Sequence, residues 1–240
     1  MYVDLHCHVV PGIDDGCRTM EESLTLARGL RDLGFQAIVA TPHIKTASYD
    51  NRRETIAPPH AALVESLAGD GPSIEFAAEH WFDDVYWDLL VRGEALRYPG
   101  GKSLLLEFDR QQIPMQVEQR FFEMRARWGC RPILAHPERY ECAWGSDFQR
   151  LGQLQDSGAL FLVDLTSLAG RHGRKALRAA QELLEEDMVY SLCSDAHRPR
   201  DVESVALGMK ELVRIVGSER AEHLLGDRTR RIRDGRFDDV

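Results

Sequence analysis

The chain has 240 residues, of which 43% are hydrophobic and 29% are charged, so it can bury a sizeable core and is not disordered throughout. Its 30 basic and 39 acidic residues give a formal net charge of −9, which argues against a nucleic-acid-binding protein, because such proteins usually carry a basic stripe. No apolar run approaches the ~20 residues that cross a bilayer, and the N-terminus lacks the regions of a signal peptide, so we expect no membrane insertion.

Seven short apolar runs predict β-strands along the chain. Most of them are continuous rather than alternating, which is typical of parallel strands that are buried on both faces. Their carboxyl ends fall roughly 30 residues apart, which is the length of one βα unit. The runs cover residues 2–8, 36–43, 74–79, 103–108, 131–136, 159–164 and 189–197.

Helical patterns are predicted between these strands. The first begins with a capping box, in which Thr19 precedes Glu22, and Met20, Leu24 and Leu33 then fall on one face. Further helices are predicted at 51–69, 81–92, 113–128, 146–157, 173–187 and 201–225.

The regular alternation without a linker predicts one α/β domain, a seven-stranded (β/α)7 barrel of the TIM type over residues 1–226. A doubly wound open sheet would give the same local pattern, and the barrel is favoured because polar residues collect at the strand ends. Residues 227–240 are a charged, arginine-rich C-terminal tail, which we expect to fray or to pack loosely.

Nine residues that can bind a metal ion stand at or just after the predicted strand ends. Side chains at the carboxyl ends of barrel strands converge on one point, so we expect these nine to form one site. Nitrogen and oxygen donors without thiolates suit Mn²⁺, Fe²⁺ or Zn²⁺. Nine donors exceed what one ion can use, so two or three divalent ions are predicted, with carboxylates such as Glu79 as bridges. The candidates are His6, His8, Asp15, His43, Glu79, Glu107, His136, Asp195 and His197.

A single histidine or glutamate at a strand end is more often a satisfied polar residue than a ligand. Four carboxylates in largely apolar surroundings are harder to explain in this way, because a buried unpaired carboxylate is strongly destabilising. The chain has only four lysines to compensate them, so metal ions are the favoured counter-charge. We expect His60, His172 and His223 to be solvated, whereas His80 is a candidate to touch the site.

The five cysteines are an odd number without a C-x-x-C pair, which excludes a disulfide framework and a zinc knuckle and indicates a reducing, cytoplasmic compartment. A cysteine-based tyrosine phosphatase needs an arginine six positions after its nucleophile, so that a loop of amides holds the phosphate. The sequence excludes that mechanism. The residues six positions after the cysteines are Ile13, Ser23, His136, Phe148 and Pro199.

The segments HCHVVPGIDDG, ATPH, LLLEF, AHPERY and SDAH together resemble the PHP family (polymerase and histidinol phosphatase) over essentially the whole chain. HCHVVPGIDDG with TMEES after it, and AHPERY, resemble its bacterial capsule-biosynthesis branch in particular. Members of that branch are metal-dependent protein-tyrosine phosphatases that act on autophosphorylated tyrosine kinases. The resemblance implies a distorted seven-stranded barrel, a three-metal site commonly described with manganese, a cytoplasmic location and, as partner, the phosphotyrosine segment of a membrane-associated kinase.

Two loops depart from the family pattern. After ATPH, the chain has Ile44-Lys45-Thr46 in place of a second histidine and a glycine-containing loop. After SDAH, Arg198-Pro199 follows at once, without the intervening residues that the family usually has. These departures concern phosphate contact and peptide recognition rather than the nine metal-ligand positions, which are all present.

Arg139 and Arg198 are the candidate catalytic residues. Arg139 stands three residues after His136, and we expect it to stabilise the charge that develops on a transferred phosphoryl group. A salt bridge with Glu138 or Glu141 is the structural alternative. The resemblance to the capsule-biosynthesis branch implies that the chain functions as a metal-dependent tyrosine phosphatase. The alternatives are a small-molecule phosphomonoesterase of the histidinol-phosphatase type, a nuclease-like activity, and a non-catalytic metal-binding subunit that docks on a kinase.

Overall fold

The centre of the fold is a set of nine β-strands, all paired in parallel, within the part of the chain that the structure describes. The structure is a computed structural model, and it describes residues 1–145 and 148–237. The strands are β1 (Tyr2–Cys7), β2 (Phe35–Ala40), β3 (His43–Ile44), β4 (Ser73–Phe76), β5 (Glu79–Trp81), β6 (Ser103–Glu107), β7 (Arg131–Ala135), β8 (Leu160–Asp164) and β9 (Ser191–Cys193). They lie in two sheets, of order β1-β2-β4 and β3-β5-β6-β7-β8-β9. The prediction of a single-domain α/β fold with parallel strands is confirmed.

Two of the seven predicted strands are each divided between the two sheets. The run 36–43 contains β2 and β3, and Pro42 stands between them, where its missing N–H interrupts the ladder. The run 74–79 ends in β5 after a break that follows β4. The amide of Glu79 donates to the carbonyl of Pro42 at 3.1 Å, so the chain continues across the break. One continuous seven-stranded barrel is therefore not confirmed, because the strands form sheets of three and six.

The first and last strands meet at their carboxyl ends. Cys7 and Ala196 form an isolated parallel bridge. The amide of His8 donates to the carbonyl of Ala196, and the amide of Asp195 donates to the carbonyl of His6, both at 2.9 Å. This contact brings the residues after β1 beside those after β9.

Alternate residues of the strands pack into two apolar clusters. Along β6, Leu104 and Leu106 belong to the larger cluster, whereas Leu105 belongs to the smaller one. The smaller cluster also takes Val3 from β1 and Ile133 from β7, so both sheets contribute to it. The strands are thus buried on both faces, as their continuous apolar runs predict.

The described ranges contain ten α-helices, of which α6 and α7, and then α8 to α10, follow one another without a strand between them. They are α1 (Met20–Asp32), α2 (Arg53–Leu67), α3 (Asp84–Arg92), α4 (Val117–Trp128), α5 (Gln149–Asp156), α6 (Leu165–Leu168), α7 (Gly173–Glu185), α8 (Asp201–Val216), α9 (Ser218–Glu222) and α10 (Arg228–Asp234). A π-helical segment spans His223–Asp227, and short 3₁₀ turns span Pro137–Arg139 and Glu141–Trp144. Within the described residues, the structure contains no helix that is both long and apolar enough to cross a membrane.

The helix ends follow local sequence signals. The Thr19 hydroxyl accepts a hydrogen bond from the amide of Glu22 at 3.2 Å, as the predicted cap requires. The predicted helix 201–225 is divided, because Gly217 adopts φ 82° and ends α8. The predicted helix 146–157 begins outside the described residues, and its described part is α5.

The described part of the tail is packed, contrary to the expectation that it frays or packs loosely. Ile232 of α10 is fully buried, and the Ser103 hydroxyl donates to its carbonyl at 3.0 Å. The amide of Gly100 donates to the carbonyl of Arg233 at 2.7 Å. An added Cβ at Gly100 would clash with the backbone of Asp234, so this close approach needs glycine. Residues 238–240 lie outside the described range.

Candidate metal centre

All nine predicted ligand residues come together in one group, in which His43 and Glu79 are the first residues of the short strands β3 and β5. Seven of them line a cleft of about 610 Å³, and His6 and His8 lie fully buried behind it, each with Nε2 3.3 Å from Oδ1 of Asp195. The parallel register explains the convergence, since it pairs His43 with Glu79 and Trp81 with Glu107.

Glu79 lies at the middle of the group and is almost fully buried. One carboxylate oxygen is 2.9 Å from Nε2 of His136. The other is 3.1 Å from Nε2 of His6 and 3.0 Å from Nδ1 of His43. A single carboxylate therefore contacts histidines from three different strand ends, which is the position that a bridging ligand needs.

A first set of donor atoms is formed by His6, His8 and Asp195. The two Nε2 atoms are 3.2 Å apart, and Oδ1 of Asp195 is 3.3 Å from each. All three donor atoms lie within 4.8 Å of one another. Two ring nitrogens that face each other and the same carboxylate oxygen fit around a cation better than they fit one hydrogen bond.

A second set lies nearer the surface and comprises His8, Asp15, His43 and His197. Oδ1 of Asp15 is 3.5 Å from Nε2 of both His43 and His197. The rings of His8 and His197 stack with their centroids 4.0 Å apart. The hydrogen bond from His197 holds the pKa of the half-exposed Asp15 well below its usual value.

A third set comprises His43, Glu79 and Glu107. Nδ1 of His43 and Oε1 of Glu107 are 3.2 Å apart, yet both atoms are buried without a hydrogen-bond partner. Burial opposes protonation of His43, but the two carboxylates raise its pKa to about 10. Unpartnered donor atoms in an excess of negative charge are what a divalent cation would satisfy, so the residues present fit such an ion.

Asp14 supports this centre. It is not among the nine predicted ligands, which include only Asp15, the second aspartate of GIDDG. Oδ2 of Asp14 is 2.7 Å from Nδ1 of His8 and accepts the amide of His43 at 3.1 Å. Burial raises the pKa of Asp14, but the neighbouring His8 outweighs this effect and keeps that pKa below its usual value. A carboxylate on the second ring nitrogen orients a metal-binding histidine. Gly16 permits the loop, because a Cβ there would clash with the carbonyl of His8.

His136 and Asp195 both adopt left-handed backbone conformations, with φ of 38° and 46°. Such conformations cost roughly 1–3 kcal/mol for residues other than glycine and collect at functional sites. His136 directly follows β7 and Asp195 stands two residues after the end of β9, and both side chains lie within the group.

Comparison with known proteins identifies the family. Residues 2–232 match the family model described as capsular polysaccharide synthesis, CpsB/CapC. The chain belongs to the CpsB/CapC family. It is 29% identical to the tyrosine-protein phosphatase YwqE of Bacillus subtilis over 201 residues, covering 81% of this chain and 77% of the relative. It is 25% identical to the tyrosine-protein phosphatase CpsB of Streptococcus pneumoniae over 241 residues, covering 96% and 97%.

Solved structures agree with this membership. A chain from the crystal structures of YwqE and CpsB, described as metal-dependent tyrosine phosphatases, matches with a TM-score of 0.87 and 26% identity, covering 97% of this chain and 94% of that one. An amidohydrolase from Mycoplasma synoviae shares the fold, with a TM-score of 0.60 at 11% identity, covering 99% and 88%. The predicted resemblance to the capsule-biosynthesis branch is confirmed.

Arg139 of this CpsB/CapC chain lines the cleft, but its side chain is almost entirely buried. Its Nη2 contacts carboxylate oxygens of Asp164 and Asp195, whereas the structural alternative was a salt bridge with Glu138 or Glu141. Asp164 ends β8 just as Glu107 ends β6, and this same signal of a carboxylate after an apolar run could have identified it. Burial raises the pKa of Asp164, and the Arg139 guanidinium opposes that shift.

The structure does not place Arg198 in the cleft. Its side chain donates to the carbonyl of His197 at 3.3 Å and lies 3.9 Å from the carboxylate of Glu22 on α1. The cause is the start of α8, where Asp201 accepts the amides of His197 and Arg198 at 2.9 and 3.0 Å. The resulting tight turn directs Arg198 away from the other candidates.

Three of the four remaining histidines differ from expectation, and His60 does so because its half-buried ring contacts the carbonyl of Ile74 at 3.1 Å. His172 is not solvated, because its Nε2 lies 3.0 Å from Nη2 of Arg139. His80 is fully buried, but its Nε2 lies 3.4 Å from the carbonyl oxygen of Leu96 and forms a hydrogen bond there rather than with a metal-ligand candidate.

The outer part of the cleft carries aromatic and basic side chains. Nζ of Lys45 lies 3.5 Å from the ring centroid of Trp81. The ring of Tyr49 stacks on His43 with a centroid distance of 5.5 Å and an interplanar angle of 12°. Arg110 completes this wall and is exposed. The Lys45 loop, which departs from the family pattern in sequence, thus forms part of the cleft.

Proposed function

We propose that this chain is a metal-dependent tyrosine phosphatase that hydrolyses phosphotyrosine on a bacterial tyrosine kinase, and so regulates capsule or exopolysaccharide synthesis. The observation that carries the proposal is the meeting of nitrogen and oxygen donors around Glu79 in a chain of the CpsB/CapC family. Its relatives in that family are named tyrosine-protein phosphatases.

The proposal includes two or three divalent ions, with manganese favoured and iron or zinc as alternatives, because the donors are nitrogen and oxygen. When bound, such ions lower the pKa of water to about 7 and polarise phosphoryl oxygens. The three donor sets described above would hold them, with His8 and His43 shared between sets. We further infer that the two sheets act together as the distorted seven-stranded barrel that the resemblance implies, with this centre at its carboxyl end.

The chain's own residues would bind and orient the substrate. Tyr49 and Trp81 offer aromatic faces to a tyrosyl ring, and Lys45 and Arg110 add positive charge along the path of a phosphate dianion. Arg139 remains the candidate to stabilise the transferred phosphoryl group, because it lines the cleft beside Asp195. Arg198, which lies against Glu22, is not retained in this role. A tyrosine phenolate has a pKa of ~10, so it leaves with less help from a general acid than an alkoxide needs.

The proposed partner is the phosphotyrosine segment of a membrane-associated kinase, which would approach the cleft from its exposed rim. The proposed location is the cytoplasm. All five cysteines are free, which suits a reducing compartment.

The test is phosphate release after removal of metal with a chelator and reloading with Mn²⁺. A phosphotyrosine peptide and histidinol phosphate are compared side by side with the wild type, His136→Ala and the control His60→Ala. We expect the peptide to be preferred, the activity to require Mn²⁺, and only His136→Ala to lose both bound metal and hydrolysis. His60 is a suitable control because its ring contacts the carbonyl of Ile74, outside the cleft.

Preference for histidinol phosphate would replace the proposed substrate with a small phosphomonoester while keeping the same centre. Inactivity of the Mn²⁺-loaded protein on both substrates would overturn the proposed activity and favour the docking subunit.

A further inference from the structure

The guanidinium of Arg139 lies where three acceptor groups meet. Its Nη2 contacts carboxylate oxygens of Asp164 and Asp195 and lies 3.0 Å from Nε2 of His172. Donor atoms of these three residues lie within 4.8 Å of one another, a spacing that suits a cation. Arg139 therefore supplies, from the chain itself, the positive charge that this group of acceptors requires.

Asp164 needs that charge because it is fully buried at the end of β8. A buried carboxylate that loses its cationic partner is strongly destabilising, so Asp164 and Arg139 hold each other in place. The Cys193 thiol, 3.4 Å away, donates a further and weaker hydrogen bond.

The surrounding backbone fixes Arg139 from two sides. Arg139 ends the short turn after His136, and in that turn Glu138 accepts the Ser167 hydroxyl at 2.6 Å and the amide of Asp164 at 3.3 Å. This ties the turn to the end of β8 and to α6. On the other side, Nε2 of His172 lies 3.1 Å from the hydroxyl oxygen of Thr166, so its ring is also held by the α6 segment.

The two carboxylate oxygens of Asp195 have different partners. Oδ1 lies 3.3 Å from Nε2 of both His6 and His8, whereas Oδ2 contacts Arg139. Arg139 therefore fixes the rotation of this carboxylate and leaves Oδ1 directed at the two histidines. Residues that orient ligands in this way commonly change metal affinity or activity by about 10–100-fold when they are removed.

We propose that Asp164 and His172 are positioning residues, which hold Arg139 so that it orients Asp195 within the metal centre. This inference rests on the proposed function for the identity of that centre. The inference extends the proposed function by assigning roles to two residues outside the nine predicted ligands. Arg139 then acts on the metal centre through Asp195, in addition to any contact with the phosphoryl group.

The experiment measures the Mn²⁺ affinity of metal-free protein by titration calorimetry and by the electron paramagnetic resonance signal of free Mn²⁺. The variants are Asp164→Asn, His172→Ala and His172→Gln, of which the last retains a polar acceptor. Asp70→Asn is the matched control, since it makes the same change in an exposed carboxylate that pairs with Arg31 at 2.7 Å, away from the centre. KM and kcat for a phosphotyrosine peptide are measured at saturating Mn²⁺.

We expect Asp164→Asn and His172→Ala to weaken Mn²⁺ binding by about 10–100-fold, with KM within about twofold of the wild type. His172→Gln should recover most of the loss. Mn²⁺ affinities equal to that of Asp70→Asn, or a rise in KM alone, would overturn the proposal and leave Arg139 as a phosphate-binding residue. If Asp164→Asn fails to fold, as shown by its thermal transition, the His172 pair decides the outcome. Because affinity is measured without substrate, a wild type that binds Mn²⁺ but hydrolyses nothing contradicts the proposed function and not this inference.

Discussion

The inner centre and the rim of the cleft are built in different ways. We define the inner centre as His6, His8, Glu79, His136 and Asp195, which lie in strands or within two residues after them and are each at most 7% exposed. We define the rim by its half-buried or exposed side chains, most of them on loops. These are Lys45, Tyr49, Trp81 and Arg110.

The difference separates two functions of one cleft. Strand ends are rigid and hold donor atoms in fixed positions, which metal binding requires. Loops tolerate substitution and set what a site accepts. We therefore expect changes in the inner centre to alter metal binding and kcat, and changes in the rim to alter KM.

The largest effect is expected for Glu79→Gln. The amide keeps the size of the side chain but removes the charge that contacts His6, His43 and His136, so bound metal should be lost and hydrolysis should fall by at least the ~100-fold that is the upper range for residues that only orient ligands. Metal content by atomic emission and phosphate release measure the two losses. Glu75→Gln, an exposed residue of β4, is the control, and equal metal content in the two variants would break the distinction between centre and rim.

A smaller effect is expected for Lys45→Met on the rim. The change keeps the bulk over Trp81 but removes the charge, so KM for a phosphotyrosine peptide should rise by about 2–5-fold, the range of a partly exposed charge interaction. Metal content and kcat should stay at wild-type values. Lys210→Met on α8 is exposed and serves as the control. A loss of metal in Lys45→Met would show that the rim and the inner centre are not separable.

The inner centre was largely predictable from the sequence, whereas its surroundings were not. Parallel strands place their carboxyl ends together, so residues such as Glu107, which follows three leucines in LLLEF, could be assigned from position alone. Asp164 carries the same signal at the end of the apolar run 159–164 but is not among the nine predicted ligands, and its pairing with Arg139 depends on contacts between β8 and the turn after β7. Arg198 was predicted to lie in the site because it follows His197 in sequence. The turn in which Asp201 accepts the amides of His197 and Arg198 directs it elsewhere, and that turn was not predicted.

The fold shows the same limit. Periodicity located the apolar runs, but it could not divide 36–43 into two strands, which depends on the missing N–H of Pro42. The tail has five arginines, and its composition therefore did not predict that Ile232 is buried. The hydrogen bond between Ile232 and Ser103 of β6 joins residues far apart in sequence, so it could not be predicted from local patterns.

The smallest effect concerns stability away from both regions, at His60 on α2. Its half-buried ring contacts the carbonyl of Ile74, and burial lowers its pKa below the usual 6.5, so folding disfavours protonation of this ring. As pH falls below 6.5, the unfolded chain binds this proton more readily than the folded chain, and stability is lost. Between pH 7.5 and 5.5, the free energy of unfolding of the wild type in urea should therefore fall slightly more than that of His60→Gln. Equal falls would remove His60 as a source of the pH dependence. The His60 ring contacts the carbonyl of Ile74 rather than a residue of the inner centre, so metal content should not change. A change in metal content would instead link α2 to the inner centre.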